Sequence, residues 1–235
     1  MRVLVTRPLH SGERTAERLR AMGHEPLLLP LLHPVHDVSA ALVGLARTAG
    51  VIAVTSGEAI RAIAARKDAL ASHFQRPLFA VGEATAKEAK AAGFRSVVAS
   101  SGSGADLADT IASLARDPVL YLAGFPRAET FEARGREIGL TIVVAECYRM
   151  ERRPIDAAWL QTILAEQRPA SILFYSRQTA ESFFDLAGMR THPDKIAGIR
   201  LLCLSAAVAA AVPAPLRENI AIAEMPEERS LLSLL

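Results

Sequence analysis

Five stretches of this 235-residue chain place small polar residues where an apolar run gives way to a helical pattern: Ser56-Gly57, Gly82 to Thr85, Ser101 to Gly104, Gly124-Phe125 and Ser176. The first turn of a helix has unbonded N–H groups and the positive end of its dipole, so such turns bind carboxylates or phosphates without a long cation. In an α/β sheet they lie beyond the C-terminal strand ends, where ligands bind. A sixth stretch, Glu146-Cys147-Tyr148-Arg149-Met150, sets a phenol among charges after the apolar run Ile142 to Ala145. A phenol with a pKa of about 10 stays protonated at neutral pH and can donate. Each feature also has a plainer reading. Ser56 and Ser176 suit ordinary helix caps. Gly82 suits a tight turn. By residue type alone, Tyr148 reads more readily as an edge-strand aromatic that packs.

Other chemistries find little footing. Ser101 to Gly104 is not followed by Gly-Lys-Ser/Thr, and no G-x-G-x-x-G occurs, so a nucleotide site is poorly supported. His33 and His36 would need a helix to share a face, and Pro34 argues against one. No carboxylate–histidine set completes a metal site, and none is expected. Cys147 and Cys203 lie far apart within apolar runs and read as inert core thiols in a reduced, cytoplasmic setting. A net charge of +2 with 5% aromatic residues gives no nucleic-acid footprint. No apolar run approaches the ~18 residues of a membrane span, and Met1 to Thr6 reads as a strand, not as a signal peptide.

The elements that would hold these turns recur as strand, polar turn, helix, Gly, strand. Arg2 to Thr6 is a strand. Ser11 is expected to cap a helix with Ala16, Leu19 and Met22 inward. Gly23 closes it, and Pro26 to Leu29 is the next strand. The pattern repeats from Phe79 through Gly93 to Ala99, and again from Val119 through Phe131 and Gly139 to Ala145. Further units are expected at Val51 to Ile63 and at Gly102 to Ala115. Beyond these come Ile155 to Leu164 (one face with Trp159 and Leu160), Ser171 to Ala187, Arg200 to Val212, Ile220 to Ala223 and a helix from Glu227 to Leu235. With 51% apolar residues, about ten strands divide more naturally into two sheets of about five than into one. Proline-bearing or charged connectors lie at Leu32 to Asp37 and Glu146 to Pro154. The expected organisation is therefore a discontinuous α/β domain, 1–33 plus 152–235, an inserted α/β domain, 38–145, and a two-stranded connecting ladder, 34–37 and 146–151.

An ordered set of motifs along nearly the whole chain resembles the uroporphyrinogen-III synthase family: VLVTRP (Val3–Pro8), VTSGEAI (Val54–Ile60), FAVGEATAKEAKAAGF (Phe79–Phe94), SGSGADLADTI (Ser101–Ile111), ECYRM (Glu146–Met150), ILFYSRQTAESFF (Ile172–Phe184) and Leu201–Val212. The resemblance implies two flavodoxin-like parallel-sheet domains joined by a two-stranded β-ladder, with the active site in the cleft between them. It implies cyclisation of hydroxymethylbilane to uroporphyrinogen III, with inversion of the terminal ring, loss of water and no cofactor. Tyr148 matches a family tyrosine proposed to help the hydroxyl leave, and Thr85 a family threonine. The expected substrate-binding set is Thr6 and Arg7, Ser56 and Gly57, Gly82 and Thr85, Ser101 to Ser103, Gly124 and Phe125, Ser176 and Arg177, and Ser205. Arg127 and Arg149 are weaker candidates, since most arginines face solvent. The chain departs from the family where Ser205-Ala206-Ala207-Val208 stands in place of a threonine-bearing turn, so that threonine's role does not transfer. A monomer acting on a small molecule is expected. The alternative is a non-catalytic, two-lobed tetrapyrrole- or anion-binding sensory module.

Overall fold

Val3, Leu4 and Val5 are fully buried, yet they serve two different cores. Leu4 packs with Leu29, Ile172, Phe174 and Phe183, while Val3 and Val5 pack with Leu19, Leu173 and Leu231. A strand whose successive side chains point to opposite faces, both covered, must be apolar throughout. That is why the short strands here read as continuous apolar runs and not as alternations.

The computed structural model describes residues 1–114, 118–186 and 193–235. The described strands are β1 (Arg2–Val5), β2 (Glu25–Leu28), β3 (Leu32–His36), β4 (Val51–Val54), β5 (Leu78–Val81), β6 (Val97–Ser100), β7 (Val119–Phe125), β8 (Ile142–Arg152), β9 (Ser171–Phe174), β10 (Arg200–Cys203) and β11 (Ile220–Ile222). The α-helices are α1 (Leu9–Ala21), α2 (Ser39–Arg47), α3 (Gly57–Ala64), α4 (Lys67–Leu70), α5 (Gly82–Ala92), α6 (Gly104–Leu114), α7 (Thr130–Glu137), α8 (Ala157–Gln161), α9 (Arg177–Phe184), α10 (Ala206–Ala209) and α11 (Glu228–Leu232).

The chain divides into two compact units, Met1–His33 with Glu151–Leu235, and Pro34–Met150. The first holds a five-stranded sheet in the order β11-β10-β9-β1-β2. Its described pairings are parallel, and the order is that of flavodoxin. The second unit's parallel strands run β6-β5-β4-β7-β8, with β3 added beside β8. Here too the strands feed two cores: Ile52, Val54, Leu120 and Leu122 on one face, Val51, Ala53, Val119 and Tyr121 on the other. In each sheet the order reverses at one place, between β1 and β9 in the first unit and between β4 and β7 in the second. These switch points are where an open α/β sheet parts its loops.

Both crossings between units fall within strands. β3 and β8 run antiparallel, since the Asp37 N–H donates to the Cys147 carbonyl (3.1 Å) and the Arg153 N–H to the Leu31 carbonyl (2.9 Å). The expected connecting ladder is thus not a separate feature at its second-unit end. β8 runs on as a strand of that sheet.

Several local expectations need correction. Ser11 does not cap α1: Pro8 stands at the N-cap, and its fixed φ starts the helix three residues earlier. Trp159 is 42% exposed and does not share the buried face of Leu160, Ile163 and Leu164. α8 is capped by Asp156, whose carboxylate accepts from the Trp159 N–H (2.8 Å). It then widens into a π-helical stretch, Thr162–Gln167, which changes the residues that share a face. The alanine-rich helix is one turn, not two, and the final helix stops at Leu232. Ala115 and Ala187, expected on helical faces, lie outside the described residues.

Candidate active site

Tyr148 gains its position from an irregularity in β8. Along the β7–β8 pair, Ala123 faces Glu146 but Gly124 faces Tyr148, so Cys147 is an extra residue. A bulge of this kind re-aims the side chain that follows it. Ala145, Cys147 and Tyr148 consequently all pack toward the same core. The aromatic ring lies against Gly124, where a Cβ would come within 2.2 Å of the Tyr148 Cζ. Only glycine leaves room for it.

The Ser56 side chain, two residues past β4, lies beside the phenol. The Ser56 Oγ also caps α3, accepting from the Glu58 N–H (3.2 Å). Burial raises the phenol's pKa above its ordinary value, and the neighbouring Ser56 only partly offsets this. Tyr148 is therefore a protonated donor across the neutral range, half-buried at the second unit's switch point. Beside it, burial pushes the Cys147 thiol up to about 12, so it is no nucleophile. Cys203 is likewise buried and raised to about 12.

Around this centre the expected residues take unequal parts. Gly57 adjoins Glu88, whose carboxylate lies where a side chain would begin. Gly82 has φ +72°, and Thr85 is buried one turn into α5. Ser103 caps α6 in reciprocal bonds with Asp106 (2.8 and 3.2 Å), and Ser101 and Gly102 are exposed. Arg127 grips Glu132 twice at 3.0 Å and Glu146 at 2.8 Å. These hydrogen bonds, Glu132 first, raise its pKa. Its charge is thus already matched within the protein. Phe125 is half exposed, with the Arg149 guanidinium 5.5 Å from its ring centre.

In the first unit, Thr6 is fully buried and its hydroxyl donates to the Leu173 carbonyl (2.7 Å), so its side chain is used inside the sheet. Arg7 stacks 4.1 Å over Tyr175 and donates to Glu228 (3.1 Å). Burial lowers the Arg7 pKa. Tyr175 also donates to Glu228 (2.9 Å), and Thr15 and Arg18 reach the same carboxylate. Ser176 caps α9 through the Thr179 N–H (3.1 Å), while Arg177 is exposed and pairs with Glu181 (2.8 Å). Ser205 precedes α10 without a side-chain cap bond. Sequence reasoning missed two clusters. One is the carboxylate of Glu58 with His36 and Arg61, and the other is the four donors on Glu228. Only the Glu58–Arg61 spacing of three residues on a helix offered any local signal. Among the described residues no group of acidic, His or Cys side chains is arranged to hold a metal ion. Nor, among those residues, is any helix long and apolar enough to cross a membrane.

Two parallel-sheet units, the second with a half-buried phenol beside the capped start of α3, define the class as a two-unit α/β protein. The family model for uroporphyrinogen-III synthase (HemD) matches residues 13–233. The chain belongs to that family, and its function is the family's: an enzyme of haem biosynthesis acting on a tetrapyrrole, making uroporphyrinogen III from hydroxymethylbilane. Solved structures agree in fold. Uroporphyrinogen-III synthetase from Helicobacter pylori has a TM-score of 0.65 at 16% identity, over 100% of this chain and 98% of that one. A mutant uroporphyrinogen III synthase from Thermus thermophilus has a TM-score of 0.59 at 18% identity, over 99% of this chain and 96% of that one. No curated protein sequence matches.

Proposed function

We propose that the chain catalyses this closure as a cofactor-independent, cyclising loss of water in which Tyr148 is the general acid. The pyrrole nitrogen beside the hydroxymethyl group supplies the electron pair that expels the hydroxyl, so the step calls for a proton donor and not for a redox or electrophilic group. Tyr148 donates its proton to the departing oxygen, water leaves, and an azafulvenium cation remains. The substituted α-carbon of the terminal ring attacks it to give a spiro intermediate. That intermediate opens at its other bridging carbon and recloses with the ring inverted, and a final proton loss restores the pyrrole. A positioned acid supplies roughly 10²–10⁴ in rate, and stabilisation of the cation adds to it.

The substrate carries eight carboxylates, so positioning needs anion sites on each unit. The starts of α3, α5 and α6, with Ser56, Gly57, Gly82, Thr85 and Ser101 to Ser103, supply them in the second unit. Ser176, Arg177 and Ser205 are their counterparts in the first, where Thr6 is left only its backbone. Two inert buried thiols fit a reduced cytoplasmic setting. The single observation that supports the reading is the phenol that the β8 bulge aims against Gly124, beside Ser56. The non-catalytic alternative finds no support in the comparisons. The test is an isomer assay on fresh hydroxymethylbilane: type III product from the native chain, and little from Tyr148→Phe, is expected. Type I alone, at the uncatalysed rate, would refute the reading.

A further inference from the structure

Glu58 is a carboxylate in a costly place. It stands in the first turn of α3 and is 8% exposed. An acidic first-turn residue suits the helix dipole, but an exposed one would suit it as well. Burying it requires partners. Oε1 accepts from the His36 Nε2 at 2.7 Å. Oε2 accepts from the Arg61 Nε and Nη2 at 3.1 and 2.6 Å. Arg61 reaches on to Glu88.

These bonds belong to a circuit of contacts. His36 ends β3, which lies beside β8, and the next residue, Asp37, donates its N–H to the carbonyl of Cys147. Tyr148 follows Cys147, its hydroxyl lies beside Ser56, and Ser56 caps the helix that carries Glu58. We propose that Glu58, tied to His36, is the positioning residue for the Tyr148 phenol: it fixes the α3 cap turn to the β3–β8 pair, and so sets where Ser56 meets the hydroxyl. This inference rests on the reading of Tyr148 as the acid. The carboxylate's state fits the role. Burial pushes its pKa up, but the bonds and charges of Arg61 and His36 outweigh that, and it stays ionised and fully engaged.

A carboxylate that merely held α3 down would affect stability and nothing else. The test is a double-mutant cycle with Glu58→Gln and Tyr148→Phe, reading kcat, KM, product isomer and melting temperature. Glu58→Gln alone is expected to lower kcat roughly tenfold, to leave KM within about twofold, and to raise the type I share. In the Tyr148→Phe background the same change is expected to alter kcat by less than about twofold, since coupled residues are non-additive. His36→Ala, at a partly exposed position, is run through the same cycle and carries the test if Glu58→Gln does not fold. Additive losses, or a lower melting temperature with unchanged kcat, overturn the positioning role alone. Full activity in Tyr148→Phe overturns the acid reading and this inference with it. A native chain yielding only type I product overturns the reading of the site before the cycle begins.

Discussion

The two sheets reverse their strand order at comparable places and put opposite things there. In the first unit the loops after β1 and β9 close on a carboxylate of the chain itself. Arg7, Thr15, Arg18 and Tyr175 all converge on Glu228, which arrives from α11. In the second unit the loops after β4 and β7 frame a phenol that lies beside a helix-capping serine. One switch point uses its donors on a carboxylate of α11, and the other sets a phenol beside a helix cap. A shared architecture therefore does not make two equivalent ligand sites. What occupies the crevice decides, and that follows from a few side chains.

The sharpest way to break the comparison is to remove one hydroxyl from each unit. Tyr148→Phe is expected to lower kcat by ~100-fold or more. Tyr175→Phe, which removes a donor from Glu228, is expected to leave the rate nearly unchanged and to cost about 1–2 kcal/mol in denaturant unfolding. Equal kinetic losses would erase the distinction. Next comes Gly124→Ala. Its new methyl meets the Tyr148 ring, so activity is expected to fall roughly tenfold, with about 1–3 kcal/mol of stability lost to overpacking.

A smaller effect is expected from Glu228→Gln. It leaves a half-buried Arg7 without its carboxylate, and about 2 kcal/mol of stability should go, read as a lower melting temperature. The ratio of type III to type I product should not move.

The pH effects are the finest probe. Glu58's folded pKa lies below its ordinary 4.5, so the unfolded chain binds that proton more readily. Its contribution to stability is complete above pH 4.5 and is lost as pH falls through the lower folded value. Acid unfolding curves of the native chain and Glu58→Gln should therefore converge at the acid end. Tyr148 is shifted the other way, above 10.0. Loss of rate from its ionisation should begin only beyond pH 10 and be absent in Tyr148→Phe.

What could be read from the sequence follows the range of the forces involved. Ser56 and Ser176 were legible as caps because a cap bond spans two or three residues. The buried strands were legible because both faces of a parallel sheet demand apolar residues. Ser11 failed because a serine and a proline competed for one helix start, and proline's fixed dihedral won. Trp159 failed because a π-helical stretch shifts the period on which facing residues are counted. The bulge at Cys147 left no mark, since an extra residue in an apolar run changes register and not composition. Tyr148 was singled out through the family likeness, but its place beside Ser56 was not. The tie from His36 to Glu58 crosses 22 residues, and that from Tyr175 to Glu228 crosses 53. No local pattern announces either.

The insertion of one unit within the other has a consequence for synthesis on the ribosome. The hydroxyl of Thr6 waits for the carbonyl of Leu173, 167 residues later, and β1 waits equally long for β9. At roughly 5–20 residues per second that is roughly ten to thirty seconds. The second unit is complete at Met150, before β9 has been made. The second unit thus has its whole sequence available first, and β1, with its three buried apolar residues, spends that interval without its central neighbour.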